Sequence, residues 1–137
     1  MKASSQDPLV GAEAPLFHRL SIGDLQSALR RGETSAAGLA EECIRRTESM
    51  ESRVHAWTSF SPEFLRSQAA AADRLPAAEQ GTLHGIPVGI KDIFNTADFP
   101  TQMGSPVWKG FTPGNDARAV FNLRRAGALI PGKTVTA

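Results

Sequence analysis

The sequence lacks the features that mark disulfide-bonded, membrane-spanning and nucleic-acid-binding proteins. It carries one cysteine, Cys43, in 137 residues, so no internal disulfide can form. This count is consistent with a reducing compartment but does not by itself indicate one. It has no tyrosine and no apolar run approaching the length of a membrane span. Its 15 basic and 14 acidic residues leave a formal net charge of +1, without the basic excess typical of nucleic-acid-binding proteins. We therefore expect neither a membrane nor a nucleic-acid partner.

The N-terminal residues also lack a recognisable targeting signal. Residues 1–17 mix Ser, Gln, Asp, Gly and Pro with scattered apolar residues, and they show no period and no apolar core of a signal peptide. We expect a loose leader there and a cytoplasmic protein. With glycine included, the apolar share is about 50%, the ordinary globular value, and the length fits one small domain.

Three amphipathic helices are predicted in the first half of the chain. Ser21 with Asp24 three positions later resembles a capping box, and Gly32 supplies a stop signal. Thr34-Ser35 opens the second helix, and Ser61-Pro62 opens the third with a cap followed by proline at the first helical position. On the second helix Cys43 falls on the apolar face, where it is predicted to act as a small core hydrophobe.

The pattern changes at Gly81. Residues 85–92 form a short apolar run that ends in two charges, which predicts a buried strand. Residues 95–113 are rich in Thr, Pro, Gly and Ser and predict a long loop of the kind that serves a site. Asn115-Asp116 then caps a helix, and residues 128–130 predict a second strand. The order of strand, loop, helix and strand indicates a βαβ-like unit, and hence an α/β fold that is incomplete with only two such strands.

Lys91 is the strongest local candidate for chemistry. It is one of four lysines against eleven arginines, and it ends the apolar strand, where a buried ammonium is costly. Desolvation lowers the pKa of a buried lysine, and a neutral lysine can act as a general base. The alternative is a lysine whose head group reaches the edge of the sheet and pairs with Asp92.

A second motif involves Lys133. Residues 127–134 match the phosphate-loop pattern of Gly, four residues and Gly-Lys-Thr, which would make the chain a nucleotide binder. That loop needs a strand before the first glycine and a helix after the Lys-Thr pair, whereas a predicted helix precedes Gly127 here. We expect a coincidental match. The three histidines, His18, His55 and His84, lack metal-ligand spacing, so no metal site is predicted.

Residues 81–92, with the sequence GTLHGIPVGIKD, resemble the amidase signature family. The resemblance continues through residues 99–105, 116–117 and 125–134, and it covers about residues 20–137. It implies the N-terminal part of an α/β/α fold with a mixed sheet. It also implies hydrolysis of a carboxylic amide C–N bond by a Ser–cis-Ser–Lys triad, without metal or organic cofactor, on a small-molecule amide. Lys91 matches the family's catalytic lysine.

The resemblance implies a specific gap in this chain. The Gly/Ser-rich segment that holds both triad serines follows the Gly-Lys-Thr strand in the family, and none of the eleven serines present matches either position. We therefore expect residues 18–137 to be the N-terminal portion of a single amidase domain, cut short and inactive alone. The alternative is a non-catalytic remnant or interaction module.

The resemblance also interprets the long loop. Residues 95–113 are expected to border the substrate cleft, with Met103, Gly104 and Ser105 as candidate substrate-binding residues. Within the family, a close relative is the glutaminase-like component of the tRNA-dependent amidotransferases, which releases ammonia from glutamine. The motifs fit both a free-standing amidase and that amidotransferase component.

Overall fold

A computed structural model describes residues 17–136, so the predicted leader lies outside the described residues except for Phe17, which begins a short 3-10 turn. Helices and short strands alternate along the described chain. The helices are α1 (Ile22–Arg30), α2 (Ala36–Val54), α3 (Pro62–Asp73) and α4 (Arg118–Arg125), and the strands are β1 (Trp57–Phe60), β2 (Ile90–Lys91) and β3 (Gly132–Thr134).

The first three helices begin where the sequence predicts. The Ser21 hydroxyl accepts from the Asp24 N–H at 3.1 Å, and the Asp24 carboxylate accepts from the Ser21 N–H at 3.3 Å, which completes the capping box. Ser35 and Ser61 each accept from the N–H three residues later, at 3.0 and 3.2 Å. Gly32 follows α1 with a φ of 69°, a left-handed conformation that glycine adopts readily. These ends are therefore determined locally.

The start of α4 differs from the prediction. Its N-cap is Ala117, without a side-chain cap bond, so the predicted cap at Asn115-Asp116 is wrong. The Asp116 carboxylate instead accepts from the Ala97 N–H at 2.9 Å and pairs with Arg124 at 2.9 Å. Asp116 thus fastens the long loop to α4 rather than capping the helix.

The three strands form a mixed sheet in the order β1-β3-β2, as the α/β prediction requires. β2 and β3 are parallel and flank α4 in the chain, whereas β1 is antiparallel to β3. The strand predicted over residues 85–92 is shortened to Ile90–Lys91, and the strand predicted over residues 128–130 is wrong in position, since it lies at Gly132–Thr134. Pro87 and Leu129 form only an isolated parallel bridge, in which the Leu129 N–H donates to the Ile86 carbonyl at 2.9 Å and the Val88 N–H donates to the Leu129 carbonyl at 2.8 Å. The next donor in this pattern would be residue 131, a proline without an N–H, so the ladder does not continue there. The sequence patterns do not predict β1, whose four residues carry no strong strand signal.

Two hydrophobic clusters cover the sheet. The first lies between α2 and α3 and reaches Leu129, with partly buried Cys43 packed against it as predicted. The second joins β2, the long loop and α4. Its buried members are Ile90, Phe99, Val120 and Ile130. Among residues 17–136, no helix is long and apolar enough to cross a membrane.

Candidate active site

Lys91 is the last residue of β2, and its side chain is exposed. Its register partner in the parallel strand β3 is Thr134, and the next N–H along, that of Asp92, donates to the Thr134 carbonyl at 2.9 Å. Among the described residues the Lys91 head group therefore lies at the surface, as expected for a lysine that reaches the edge of the sheet. Asp92, 1% exposed, is the charged residue that enters the interior at this point.

The pairing of Lys91 with Asp92 that this alternative includes is not found in the described part of the chain, because Asp92 is paired with another lysine. Lys133, on β3, is 0% exposed, and its Nζ lies 3.2 Å from the Asp92 Oδ1. The same ammonium donates to the Thr101 hydroxyl at 2.9 Å and to the Pro100 carbonyl at 3.2 Å. Three acceptors therefore surround the three protons of this buried ammonium.

The surroundings of Lys133 exclude its use in a phosphate loop. Burial lowers the pKa of its ammonium below the ordinary value, and the hydrogen bond and charge of Asp92 oppose that shift. Because the side chain is enclosed and lies on β3, it does not face an anion in solvent. The sequence contains one signal for this ion pair. Lys133 and Asp92 both lie at the ends of apolar runs that pair in parallel.

Two of the predicted substrate-binding residues lie beside the end of β2. The Met103 N–H donates to the Asp92 carbonyl at 2.9 Å, and the Gln102 N–H donates to the Asp92 Oδ2 at 3.3 Å. Met103 and Gly104 both have positive φ, 54° and 66°, and Gly104 packs so closely against Thr136 that a Cβ would collide with its hydroxyl. These residues lie at the carboxyl ends of β2 and β3, the edge where open α/β sheets bind ligands.

Ser105 has a different role in the fold. Its hydroxyl accepts from the Val107 N–H at 3.4 Å, at the start of a 3-10 turn over Pro106–Trp108. Val107 is 86% exposed, and Trp108 stacks edge-on against Phe111 with ring centroids 5.3 Å apart. The long loop thus carries an open apolar surface beyond Met103 and Gly104.

The part of the chain that the structure describes contains no group of three or more His, Cys, Asp or Glu side chains that could hold a metal ion. The polar groups at this edge of the sheet are the exposed ammonium of Lys91, the backbone of Met103 and Gly104, and the buried pair of Asp92 and Lys133.

Comparison with known proteins identifies the family. The family model for amidases matches residues 38–137. The chain is 38% identical over 119 residues to the A subunit of the glutamyl-tRNA(Gln) amidotransferase of Roseiflexus sp. (strain RS-1), covering 86% of this chain and 24% of that protein. The structure of the native peptide amidase from Stenotrophomonas maltophilia superimposes with a TM-score of 0.79 at 34% identity, over 88% of this chain and 26% of that one.

The same fold occurs in fatty acid amide hydrolase, with a TM-score of 0.82 at 21% identity. The chain spans about a quarter of the length of the relatives it matches. Since the amidase model matches most of its residues, the chain belongs to the amidase family.

Proposed function

We propose that this chain contributes the catalytic lysine, Lys91, and part of the substrate-binding wall to an enzyme that hydrolyses amide bonds with a Ser–cis-Ser–Lys triad. The observation that carries the proposal is the position of Lys91 in an amidase-family chain: exposed, at the carboxyl end of a parallel strand, beside Met103 and Gly104. Ligands of open α/β sheets bind at that edge.

In the proposed reaction, an uncharged Lys91 accepts a proton from a bridging serine. That serine deprotonates the nucleophilic serine, whose oxygen forms a bond to the amide carbonyl carbon, while backbone N–H groups stabilise the oxyanion. The C–N bond of this adduct then breaks as the lysine returns the proton, through the bridging serine, to the leaving ammonia or amine. Water next hydrolyses the acyl-serine ester, which releases the carboxylic acid and regenerates the nucleophilic serine. A neutral lysine requires desolvation, and residues 17–136 leave Lys91 exposed, so the remainder of the enzyme must cover it.

The substrate is a small carboxylic amide. Relatives are named both as a peptide amidase and as part of a glutamyl-tRNA(Gln) amidotransferase, so glutamine and other primary amides are the two substrate classes to assay. Met103 and Gly104 are proposed to line the cleft through their backbone, while Ser105 is proposed as a neighbour that fixes the turn behind it.

The chain alone is proposed to be inactive, because none of its eleven serines matches a triad position. Loss of the nucleophile removes covalent catalysis and leaves only weak residual acceleration. Purified 137-residue chain should hydrolyse simple amides at the background rate. Hydrolysis above background that disappears in Lys91→Ala would contradict this part of the proposal.

The test of Lys91 needs a complete enzyme that contains this chain. We define the complete enzyme as the product of the reading frame continued beyond codon 137. Where the frame stops there, it is a chimera in which this chain replaces the matching quarter of the Stenotrophomonas maltophilia peptide amidase. Lys91→Ala should lower kcat at least about 1000-fold, the scale of losing a triad member. The melting temperature should stay nearly unchanged, because Lys91 is exposed.

Lys91→Arg tests whether Lys91 acts as a base that accepts a proton or only as a fixed positive charge. Arginine keeps its proton at working pH, so this variant should be about as inactive as Lys91→Ala. Arg74→Lys is the matched control, since it exchanges the same two cations at an exposed position at the end of α3, outside the loop of residues 95–113. A Lys91→Arg enzyme with a rate near the wild type would show that Lys91 acts as a charge and not as a base.

A further inference from the structure

The buried ammonium of Lys133 joins β3 and the end of β2 to the loop at Pro100 and Thr101. From β3 it reaches the Asp92 carboxylate at 3.2 Å, the Thr101 hydroxyl at 2.9 Å and the Pro100 carbonyl at 3.2 Å. Lys133 and Thr101 are fully buried, and Asp92 is 1% exposed. We call these three side chains, Lys133, Asp92 and Thr101, the buried polar triangle.

The buried polar triangle lies directly behind the proposed site. Asp92 follows Lys91 in the chain, and its backbone and side chain accept the N–H groups of Met103 and Gln102. Thr101 is fixed in turn, because its N–H donates to the Phe111 carbonyl at 2.7 Å. The distance between the Lys91 backbone and the Met103 backbone is therefore set through contacts of Asp92, which Lys133 holds in place.

Packing alone does not account for this arrangement. A buried ion pair is often no more stable than well-packed apolar residues of similar volume, whereas removal of one partner leaves an uncompensated charge. The hydrogen bonds from the Lys133 ammonium to Pro100 and Thr101, together with its ion pair to Asp92, however, fix the relative placement of these two segments in a way that apolar contacts do not.

We infer that Lys133 is a positioning residue for amide hydrolysis: through Asp92 and Thr101 it sets the placement of Lys91 relative to the substrate-binding loop around Met103. The inference rests on the proposed role of Lys91 in catalysis. The motif of residues 127–134, which matches the phosphate-loop pattern, thereby has a function inside the protein, behind the proposed active site.

The main variant for the test is Lys133→Met in the complete enzyme, which removes the ammonium and keeps most of the length of the side chain. Misplacement of a reacting group by about 1 Å lowers rates on the order of 100-fold, so kcat/KM should fall by about that factor. Because Asp92 is left buried without its partner, the melting temperature should fall too.

A double variant separates positioning from stability. Lys133→Met combined with Asp92→Leu replaces both ends of the ion pair by apolar side chains, a change that is often neutral for stability. The double variant should regain most of the melting temperature and still lack most of the activity, since the bonds to Thr101, Pro100 and Gln102 are not restored.

Gln68→Met is the matched control. The Gln68 side-chain amide donates to the Ile130 carbonyl at 2.8 Å and accepts from the Ile130 N–H at 2.9 Å, so it is a comparable polar tie to the segment leading into β3. This variant should lower the melting temperature. Its kcat/KM should stay close to that of the wild type when every variant is assayed below its melting temperature.

The outcomes distinguish this inference from the proposed function. If Lys133→Met behaves as Gln68→Met does, or if the double variant recovers melting temperature and kcat/KM together, Lys133 has only a structural role and the inference is overturned. The role of Lys91 then stands as long as Lys91→Ala is inactive. If Lys91→Ala keeps its activity, the proposed function itself fails.

Discussion

The two halves of the described chain differ in the polarity of the side chains that they bury. Residues 17–80 are mostly helical, and their buried residues are apolar, chiefly alanine and leucine. Residues 81–136 contain two strands of two and three residues and one helix of eight. All four polar or charged residues that are buried in the described chain lie in this second half. They are Asp92, Thr96, Thr101 and Lys133.

This difference indicates that the helical half acts as a scaffold and that the other half contains the candidate site. Helices with good caps form from local signals and need only an apolar partner surface, so they make a scaffold that tolerates variation. A long loop with little regular structure is placed accurately only if specific polar contacts satisfy its backbone groups. The candidate site lies in the half that depends on such contacts, where Asp92 accepts the N–H groups of Gln102 and Met103.

We expect the largest difference in stability when one carboxylate in each half is replaced by its amide. Asp92→Asn removes the charge that pairs with the buried Lys133 and should cost about 3 kcal/mol of unfolding free energy. Asp73 also joins two segments, since its carboxylate accepts the N–H groups of Ala36 and Ala37 at 2.8 and 3.0 Å, but it is exposed. Asp73→Asn should therefore cost about 0.5–1 kcal/mol.

Urea denaturation of the complete enzyme measures both values. The comparison between the halves fails if the Asp92 and Asp73 variants lose the same unfolding free energy. In that case burial of the carboxylate is not what distinguishes the two regions.

Prediction from sequence succeeds for the helices of the first half and is partial for the strands and the buried polar contacts, because only the helix starts depend on local signals. Ser21, Ser35 and Ser61 start helices through bonds to residues three positions away, so a short window of sequence contains the whole signal. The family resemblance identifies the fold. The pairing of Asp92 with Lys133 depends on the parallel register of β2 and β3, which no local pattern specifies.

The strands show the same limit. β1 is four residues long, and its partner is β3 at the other end of the chain, so the segment from Trp57 contains no sign of its pairing.

A smaller effect is expected from two glycines with similar backbone conformations. Gly32 in the helical half and Gly104 in the loop half have φ of 69° and 66°. Nothing lies within 4 Å of a Cβ added at Gly32, so Gly32→Ala should cost only the left-handed strain, about 1–2 kcal/mol. Gly104→Ala should cost more, because its Cβ would collide with the Thr136 hydroxyl, and it should lower kcat/KM by displacing the Met103 backbone.

A second substitution checks the cause. Thr136→Ala removes the colliding hydroxyl, so Gly104→Ala combined with Thr136→Ala should return to the stability loss of Gly32→Ala. Thermal melts and amide hydrolysis by the complete enzyme report the two effects separately. If Gly104→Ala keeps full activity while it destabilises the protein, the residue does not border the substrate.

The smallest effect concerns pH and the one cysteine. Cys43 lies on α2, partly buried against the first hydrophobic cluster, and burial raises the pKa of its thiol while the hydrogen bond with Thr47 opposes the shift. The folded state thus disfavours the thiolate. The contribution of the protonated Cys43 thiol to the unfolding free energy is complete below its ordinary pKa of 9.0. It is lost as the pH rises through the raised pKa of the folded state.

Cys43→Ala isolates this contribution. Other groups that titrate at alkaline pH, such as Lys133, are present in both proteins and cancel in the comparison. Above the thiol's ordinary pKa, the wild type should lose stability faster than the variant. Since only one proton is involved, the difference between their unfolding free energies should change by at most about 1.4 kcal/mol per pH unit. Urea denaturation across the alkaline range measures that difference. Parallel curves would mean that the thiol of Cys43 has the same environment in the folded and unfolded chain, and that the packing of α2 does not shield it from water.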